Sequence, residues 1–156
     1  MANNKNELSV RSTVFSHNGH IPPEYTCEGR NINPPLEINN IPEETKTLAL
    51  IVEDPDASHG VYNHWVVWNI LPNEAIAEGS NPGISGTNSF GKTGYGGPCP
   101  PSGSHRYFFK VFALDTDLDL LAGSAKEALL DAMKGHVLAE GVLMGKYQKK
   151  KTMAET

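Results

Sequence analysis

Cysteine is nearly absent: Cys27 and Cys99 are the only two in 156 residues. Two are too few for a disulfide scaffold, and they make no zinc-binding spacing. They are read as free thiols, although a fold that brought them together would let them pair. No apolar run approaches the ~20 residues of a membrane-spanning helix, which excludes stable membrane insertion by a helix. The polar stretch over residues 1–12 holds no apolar signal-peptide core, so a cytoplasmic location is the default expectation. Basic charge is also scarce. Thirteen Lys and Arg against eighteen Asp and Glu leave a net charge of -5, which argues against a nucleic-acid partner. The one basic cluster, Lys146, Lys149, Lys150 and Lys151, reads as the start of a solvated tail.

What is present is turn-forming and β-prone. Fifteen glycines and eleven prolines point to many turns. No repeat or linker divides the chain, so one domain is expected over residues 13–148. Residues 1–12 are expected to be extended or disordered, and 149–156 to be a flexible basic tail. Residues 12–46, rich in Pro, Asn and Gly, read as short edge strands joined by turns. TLALIVE, from Thr47 to Glu53, is almost wholly apolar, as a strand buried on both faces is. HWVVWNIL from His64 and HRYFFKVFAL from His105 read as two further strands, and His136 to Tyr147 as the last. Ser124 and Glu127 form an S-x-x-E capping box before a helical pattern that Gly135 ends. Strands first and one helix near the end give a mainly β fold. The long segment 72–104 reads as a partly ordered loop with a functional reason for its length.

Gly86-Thr87-Asn88-Ser89-Phe90-Gly91-Lys92-Thr93 matches the P-loop pattern letter for letter. That pattern holds phosphates only between a buried strand and a helix N-terminus. Here Gly94-Tyr95-Gly96-Gly97-Pro98 follows, which starts no stable helix, so nucleotide hydrolysis is rejected. The informative polar groups instead fall at strand ends. Asp54 and Asp56 close one strand, His64 opens the next, and His105 and Tyr107 share a face at the start of a third. Singly, each has a plain structural role: an Asp capping a turn, a His bonded to a carbonyl, a Tyr in the core. Jointly they form a donor-rich cup suited to phosphate or carboxylate. His17, His20, His59 and His136 have no such context and read as surface or structural residues. Cys99, flanked by prolines, is a nucleophile candidate near His105. There is no nucleophile elbow and no H-E-x-x-H pair, and Asp54, Asp56, His59 and His64 do not make a recognisable metal set. No catalytic residue, metal or cofactor is therefore expected.

Two long motifs carry a family resemblance. Asp54-Pro55-Asp56-Ala57 with His64-Trp65-Val66-Val67-Trp68-Asn69, and Gly97-Pro98-Cys99-Pro100-Pro101-Ser102-Gly103-Ser104-His105-Arg106-Tyr107, resemble the signatures of the phosphatidylethanolamine-binding proteins. Phe90 to Tyr95 and Asn31 to Leu36 are similar to the bacterial and archaeal Raf-kinase-inhibitor-like branch. The resemblance spans residues 15–147. It implies a large antiparallel sheet packed on a smaller one, with one or two short helices. It also implies a pocket for phosphate-like groups lined by Asp54, His64, His105 and Tyr107, with Asp56, Cys99 and Pro100 at the rim. The implied ligand is a small anion or a phospholipid headgroup. Inhibition of a protein kinase or serine protease through the loop 72–104 is the alternative, and a His64–Asp54 hydrolase a more distant one. A homodimer is a further implication. The sequence departs from the family pattern at Ser58, where many relatives have proline. It also ends soon after Tyr147, without the C-terminal helix of eukaryotic relatives.

Overall fold

In the computed structural model, residues 7–150 are described. Nine strands and one helix follow in the order β1 (Ser9–Arg11), β2 (Gly19–His20), β3 (Leu36–Asn39), β4 (Thr47–Asp54), β5 (Tyr62–Ile70), β6 (Ala75–Ile76), β7 (Ile84–Ser85), β8 (His105–Leu114), α1 (Lys126–Met133) and β9 (Val137–Tyr147). A 3-10 turn lies at Pro23–Tyr25. The small sheet has the order β1-β3-β6 and the large one β2-β9-β8-β4-β5-β7. Every pairing is antiparallel except that of β2 with β9. The mainly β, two-sheet architecture is the expected one. Of the expected N-terminal segment, residues 1–6 lie outside the described residues, while Ser9–Arg11 pair with β3. Of the expected basic tail, residues 151–156 lie outside them.

Residues 48–52 of β4 and 65–68 of β5 are apolar without a break because each strand has a core on both sides. Side chains alternate between faces of a strand. Leu48, Leu50, Val52, Trp65 and Val67 enter the cluster shared with Leu36, Ile38 and Ile76 of the small sheet. Ala49, Ile51, Val66 and Trp68 enter a second cluster with Leu118, Leu129 and Met133, under α1. β8 and β9 present one face only. Tyr107, Phe109, Val111 and Ala113 of β8 are buried, while the residues between them are not. Burying each such side chain contributes roughly 1.5–3 kcal/mol, so this continuous core fixes the strand ends on which any site must stand.

Three local expectations need correction. The capping box does not form: Ala125 is the N-cap, without a side-chain cap bond, and the Ser124 hydroxyl donates to the Leu121 carbonyl instead at 2.7 Å. The segment turns there to seat Leu118 and Leu129, and that packing outweighs the ~1 kcal/mol of a cap. The segment 72–104 contains two short strands, β6 and β7, which its Gly and Pro content conceals. Most consequentially, Cys27 and Cys99 are not free thiols. They form a disulfide with a Cα–Cα distance of 5.4 Å, across 72 residues of sequence. The turn after Tyr25 meets the 96–101 segment, where the Cys27 N–H donates to Pro98 at 3.1 Å. Tertiary packing makes that approach, so no spacing rule reveals it.

Candidate functional site

One irregularity at the end of the large sheet sets the site. In the β4–β5 ladder, Val52 pairs with Trp65 but Glu53 pairs with Asn63, so His64 is the extra residue of a bulge. Regular alternation would send His64 to the face of Val66 and Trp68. The bulge re-aims it toward the other face, where its ring meets Tyr107 at 5.2 Å. His64 Nδ1 is held 2.7 Å from the Gly96 carbonyl, which only accepts, so Nδ1 carries the proton and Nε2 is left for other partners. The Gly96 N–H returns to the His64 carbonyl at 2.9 Å, tying the loop to the strand.

Asp54, the last residue of β4, is buried and spends one oxygen on each of two partners. Oδ1 accepts the Asp56 N–H at 2.7 Å, and Oδ2 accepts His105 Nδ1 at 2.6 Å. The His105 ring stacks on Tyr107 with centroids 6.5 Å apart. Tyr107 is fully buried, and its hydroxyl meets no protein partner at hydrogen-bonding geometry. Burial first, then the negative charges of Asp54 and Asp56, raise its pKa, so the phenol stays protonated and is available as a donor.

These side chains surround a cavity of about 250 Å³. Asp54, His64, Cys99, Pro100, His105 and Tyr107 all line it, so six of the seven expected site residues share one concavity. Asp56 does not. It faces outward, where its carboxylate takes Arg106 Nε and Nη2 at 2.9 and 2.8 Å. The Arg106 bonds hold its pKa down at about 2. Asp56 thus braces the turn after β4 against the start of β8. Cys99 offers no nucleophilic thiol in this structure, because its sulfur is bonded to Cys27.

Sequence reasoning missed several lining residues. The lip is residues 57–61, including His59, which reads as a surface residue in the sequence but borders the cavity. Its place between two strand ends that both carry site residues was the available signal. Tyr62 and Phe90 complete an aromatic wall against His64, with ring centroids 5.2 and 5.3 Å from it. Phe90 comes from the false P-loop. Asn88 organises that segment, its Oδ1 accepting from the Phe90 and Lys92 N–H groups at 2.9 and 3.1 Å and its Nδ2 donating to Gly94 at 2.9 Å. The motif is a compact turn that delivers an aromatic ring, with no helix to hold a phosphate. Among the described residues, no group of three or more His, Cys, Asp or Glu is placed to hold a metal ion.

Burial, more than any neighbouring charge, lowers the His64 pKa below the ordinary 6.5. A group whose folded pKa is depressed binds fewer protons folded than unfolded. Its stabilising contribution is therefore complete above 6.5 and declines as pH falls below it. The expected result is a urea midpoint that drops on acidification below pH 6.5, with at most about 1.4 kcal/mol lost per pH unit to this residue. His64→Asn keeps a donor for Gly96 but does not titrate, so its slope is shallower. Equal slopes would assign the acid sensitivity elsewhere.

The comparisons with known proteins agree with this architecture. The family model for phosphatidylethanolamine-binding protein matches residues 11–148. A UPF0098 protein of Methanothermobacter thermautotrophicus is 47% identical over 150 residues, covering 91% of this chain and 99% of the relative. A second, from Pyrococcus abyssi, is 48% identical over 155 residues, covering 92% and 87%. Among solved structures, a phosphatidylethanolamine-binding protein homolog from Chlamydia trachomatis superposes with a TM-score of 0.89 at 43% identity, covering 93% of this chain and 99% of its own. Escherichia coli YbcL, described as a member of the mammalian family, gives 0.84 at 28% identity, covering 92% and 99%. The chain belongs to the phosphatidylethanolamine-binding protein family.

Proposed function

We propose that the chain is a binding protein whose cavity accepts a small phosphate-type oxyanion, either free or as a lipid headgroup. The observation that carries the reading is the convergence of His64, His105 and Tyr107, two imidazoles and a phenol from two strands, on the wall of one cavity. The Tyr107 phenol lies beside the Asp54 carboxylate and the Cys99 backbone at the back of that wall. His105 can carry protons on both nitrogens, with Nδ1 toward Asp54 and Nε2 free for the anion. Neutral His64, with Nδ1 spent on Gly96, offers a lone pair to the P–OH of a monoprotonated phosphate.

At about 250 Å³ the cavity is smaller than the roughly 300–1,000 Å³ of drug-sized sites, which suits an ion or a headgroup. Two or three charge-assisted bonds of roughly 1.5–3 kcal/mol each correspond to affinities from about millimolar to micromolar. The reading is one of binding and not turnover, since the sulfur of Cys99, the candidate nucleophile, is already bonded to Cys27. NMR titration with inorganic phosphate tests it. The expected result is saturable movement of the His64 and His105 ring signals. Ring signals unmoved at tens of millimolar phosphate would overturn the reading. Glycerophosphoethanolamine, titrated beside phosphate, separates a headgroup preference from a free-anion one.

A further inference from the structure

Cys27 and Cys99 sit differently. Cys27 is solvent-exposed, on the turn that follows the 3-10 turn at Pro23–Tyr25, whereas Cys99 is half-buried and lines the cavity. We propose that their disulfide is a redox-controlled latch on the cavity wall, closed when oxidised and released by a dithiol. Its consequence for ligand rests on the anion-site reading above, whereas its effect on the wall does not.

The two ends of the bond are anchored unequally. On the Cys27 side the turn is held independently of the sulfur. The Thr26 hydroxyl donates to Pro23 at 2.8 Å and accepts the Glu28 N–H at 3.1 Å, and the Asn31 N–H reaches Glu24 at 2.9 Å. Glu28 in turn accepts from the Tyr147 hydroxyl at the end of β9. On the Cys99 side, anchoring stops just before the half-cystine. Gly96 donates to His64, Gly97 donates to Asn31 Oδ1 at 2.8 Å, and Pro98 accepts from Cys27. From Cys99 to Ser104, no backbone–backbone hydrogen bond is formed among the described residues until β8 begins at His105. Pro100 and Pro101 have no N–H to contribute, and Gly103, at φ +70, occupies the left-handed region. The disulfide is thus the covalent tie on the stretch that puts Cys99, Pro100 and Pro101 against the cavity, beside the burial of Pro100 and the approach of the Cys99 backbone to the Tyr107 hydroxyl.

The chemistry balances as an ordinary exchange. The thiolate of a dithiol attacks the exposed Cys27 sulfur, the Cys27–Cys99 bond breaks, and Cys99 leaves as a thiolate that takes a proton. The second thiol of the reductant then displaces Cys27, leaving two protein thiols and one oxidised dithiol, with two electrons transferred. Exposure of Cys27 provides the access this route needs. Once released, residues 99–104 sample open arrangements, and apparent affinity falls by the fraction of time the wall is closed.

The test compares the oxidised chain with the same chain in dithiothreitol, by backbone NMR relaxation, by amide hydrogen exchange in β8 and by phosphate titration of the His64 and His105 ring signals. Reduction is expected to lower the backbone order parameters of Cys99 and Ser102 to Ser104 from about 0.85 to below about 0.6. The β8 amides should stay protected, and phosphate affinity should fall about tenfold. A Cys27→Ser/Cys99→Ser double variant should match the reduced chain and ignore the reductant. Unchanged order parameters at 99–104 overturn the latch, and so does equal phosphate affinity in both forms. Loss of β8 protection on reduction overturns it too, by making the bond a staple of the whole fold. Lowered order parameters in a chain that binds phosphate in neither form would sink the anion reading and leave the moving wall standing.

Discussion

Asp54→Asn is expected to weaken phosphate binding about ten- to hundredfold, whereas Asp56→Asn leaves it within about threefold. The two residues stand two apart in one motif, yet they face opposite environments. Asp54 is buried behind His105 at 2.6 Å, and Asp56 is on the surface with Arg106. Two effects oppose each other at Asp54. A carboxylate beside an anion site repels the ligand, and on Coulomb's law alone its removal would tighten binding. The same carboxylate, however, is what an imidazolium at His105 would lean on while its Nε2 meets the phosphate, and each of those bonds joins charged partners at contact distance. Contact hydrogen bonds between ions are worth roughly twice neutral ones, whereas Asp54, though it borders the cavity, has its two oxygens turned to the Asp56 N–H and to His105. The bridging effect therefore wins. Isothermal titration of both variants with phosphate decides the matter. Tighter binding in Asp54→Asn would show that the carboxylate opposes the ligand, and equal losses in both variants would remove the distinction between inner and outer aspartate.

That contrast also marks how far residue patterns could be read. The apolar run of β4 declared its two buried faces directly, because a strand with one wet face would have alternated. The bounds of β8 were equally plain, since aromatic and β-branched residues crowd one segment between a Gly- and Pro-rich stretch and the polar Asp115-Thr116-Asp117. Asp54, His64, His105 and Tyr107 were recognisable as a set because polar groups at the ends of buried strands have few other reasons to be there. The orientation of His64 was not legible. Alternation assigns it to the wrong face, and only the bulge opposite Val52 and Glu53 corrects it. Nor was the role of Asp56, which depends on where Arg106 lies after folding, or the pairing of Cys27 with Cys99, which depends on two loops meeting. Asn69 shows the same limit on the other side of the sheet. Its positive φ and its two bonds to the Leu118 backbone, at 3.0 and 2.7 Å, mimic a strand partner and carry no sequence signature. Local composition reports which faces are wet or dry. Register slips and loop-to-loop contacts are decided by the whole fold.

Gly97→Ala is expected to cost about 3 kcal/mol of stability, which for a chain of this length lowers Tm by roughly 6–12 °C. The backbone of Gly97 passes so close to the turn after Tyr25 that a Cβ would overlap the Tyr25 carbonyl oxygen. The same Cβ would come 2.5 Å from Asn31 Oδ1 and 2.9 Å from the Thr26 Cα. Two of the three are backbone atoms, which no side-chain rotation can clear, so the loop itself must move. Its movement breaks the Gly97 N–H bond to Asn31 and drags Gly96 from His64. Gly103→Ala is the matched control. That residue has a positive φ but nothing within 4 Å of a built Cβ, so the cost there is conformational alone, about 1–2 kcal/mol. Thermal unfolding of the two variants separates close approach from backbone strain, and equal losses would show that the loop yields freely at Gly97. Because the displaced segment carries the carbonyl that orients His64, Gly97→Ala should also weaken phosphate binding at temperatures where it remains folded. Gly103→Ala, beyond the last of those anchors, should weaken it less.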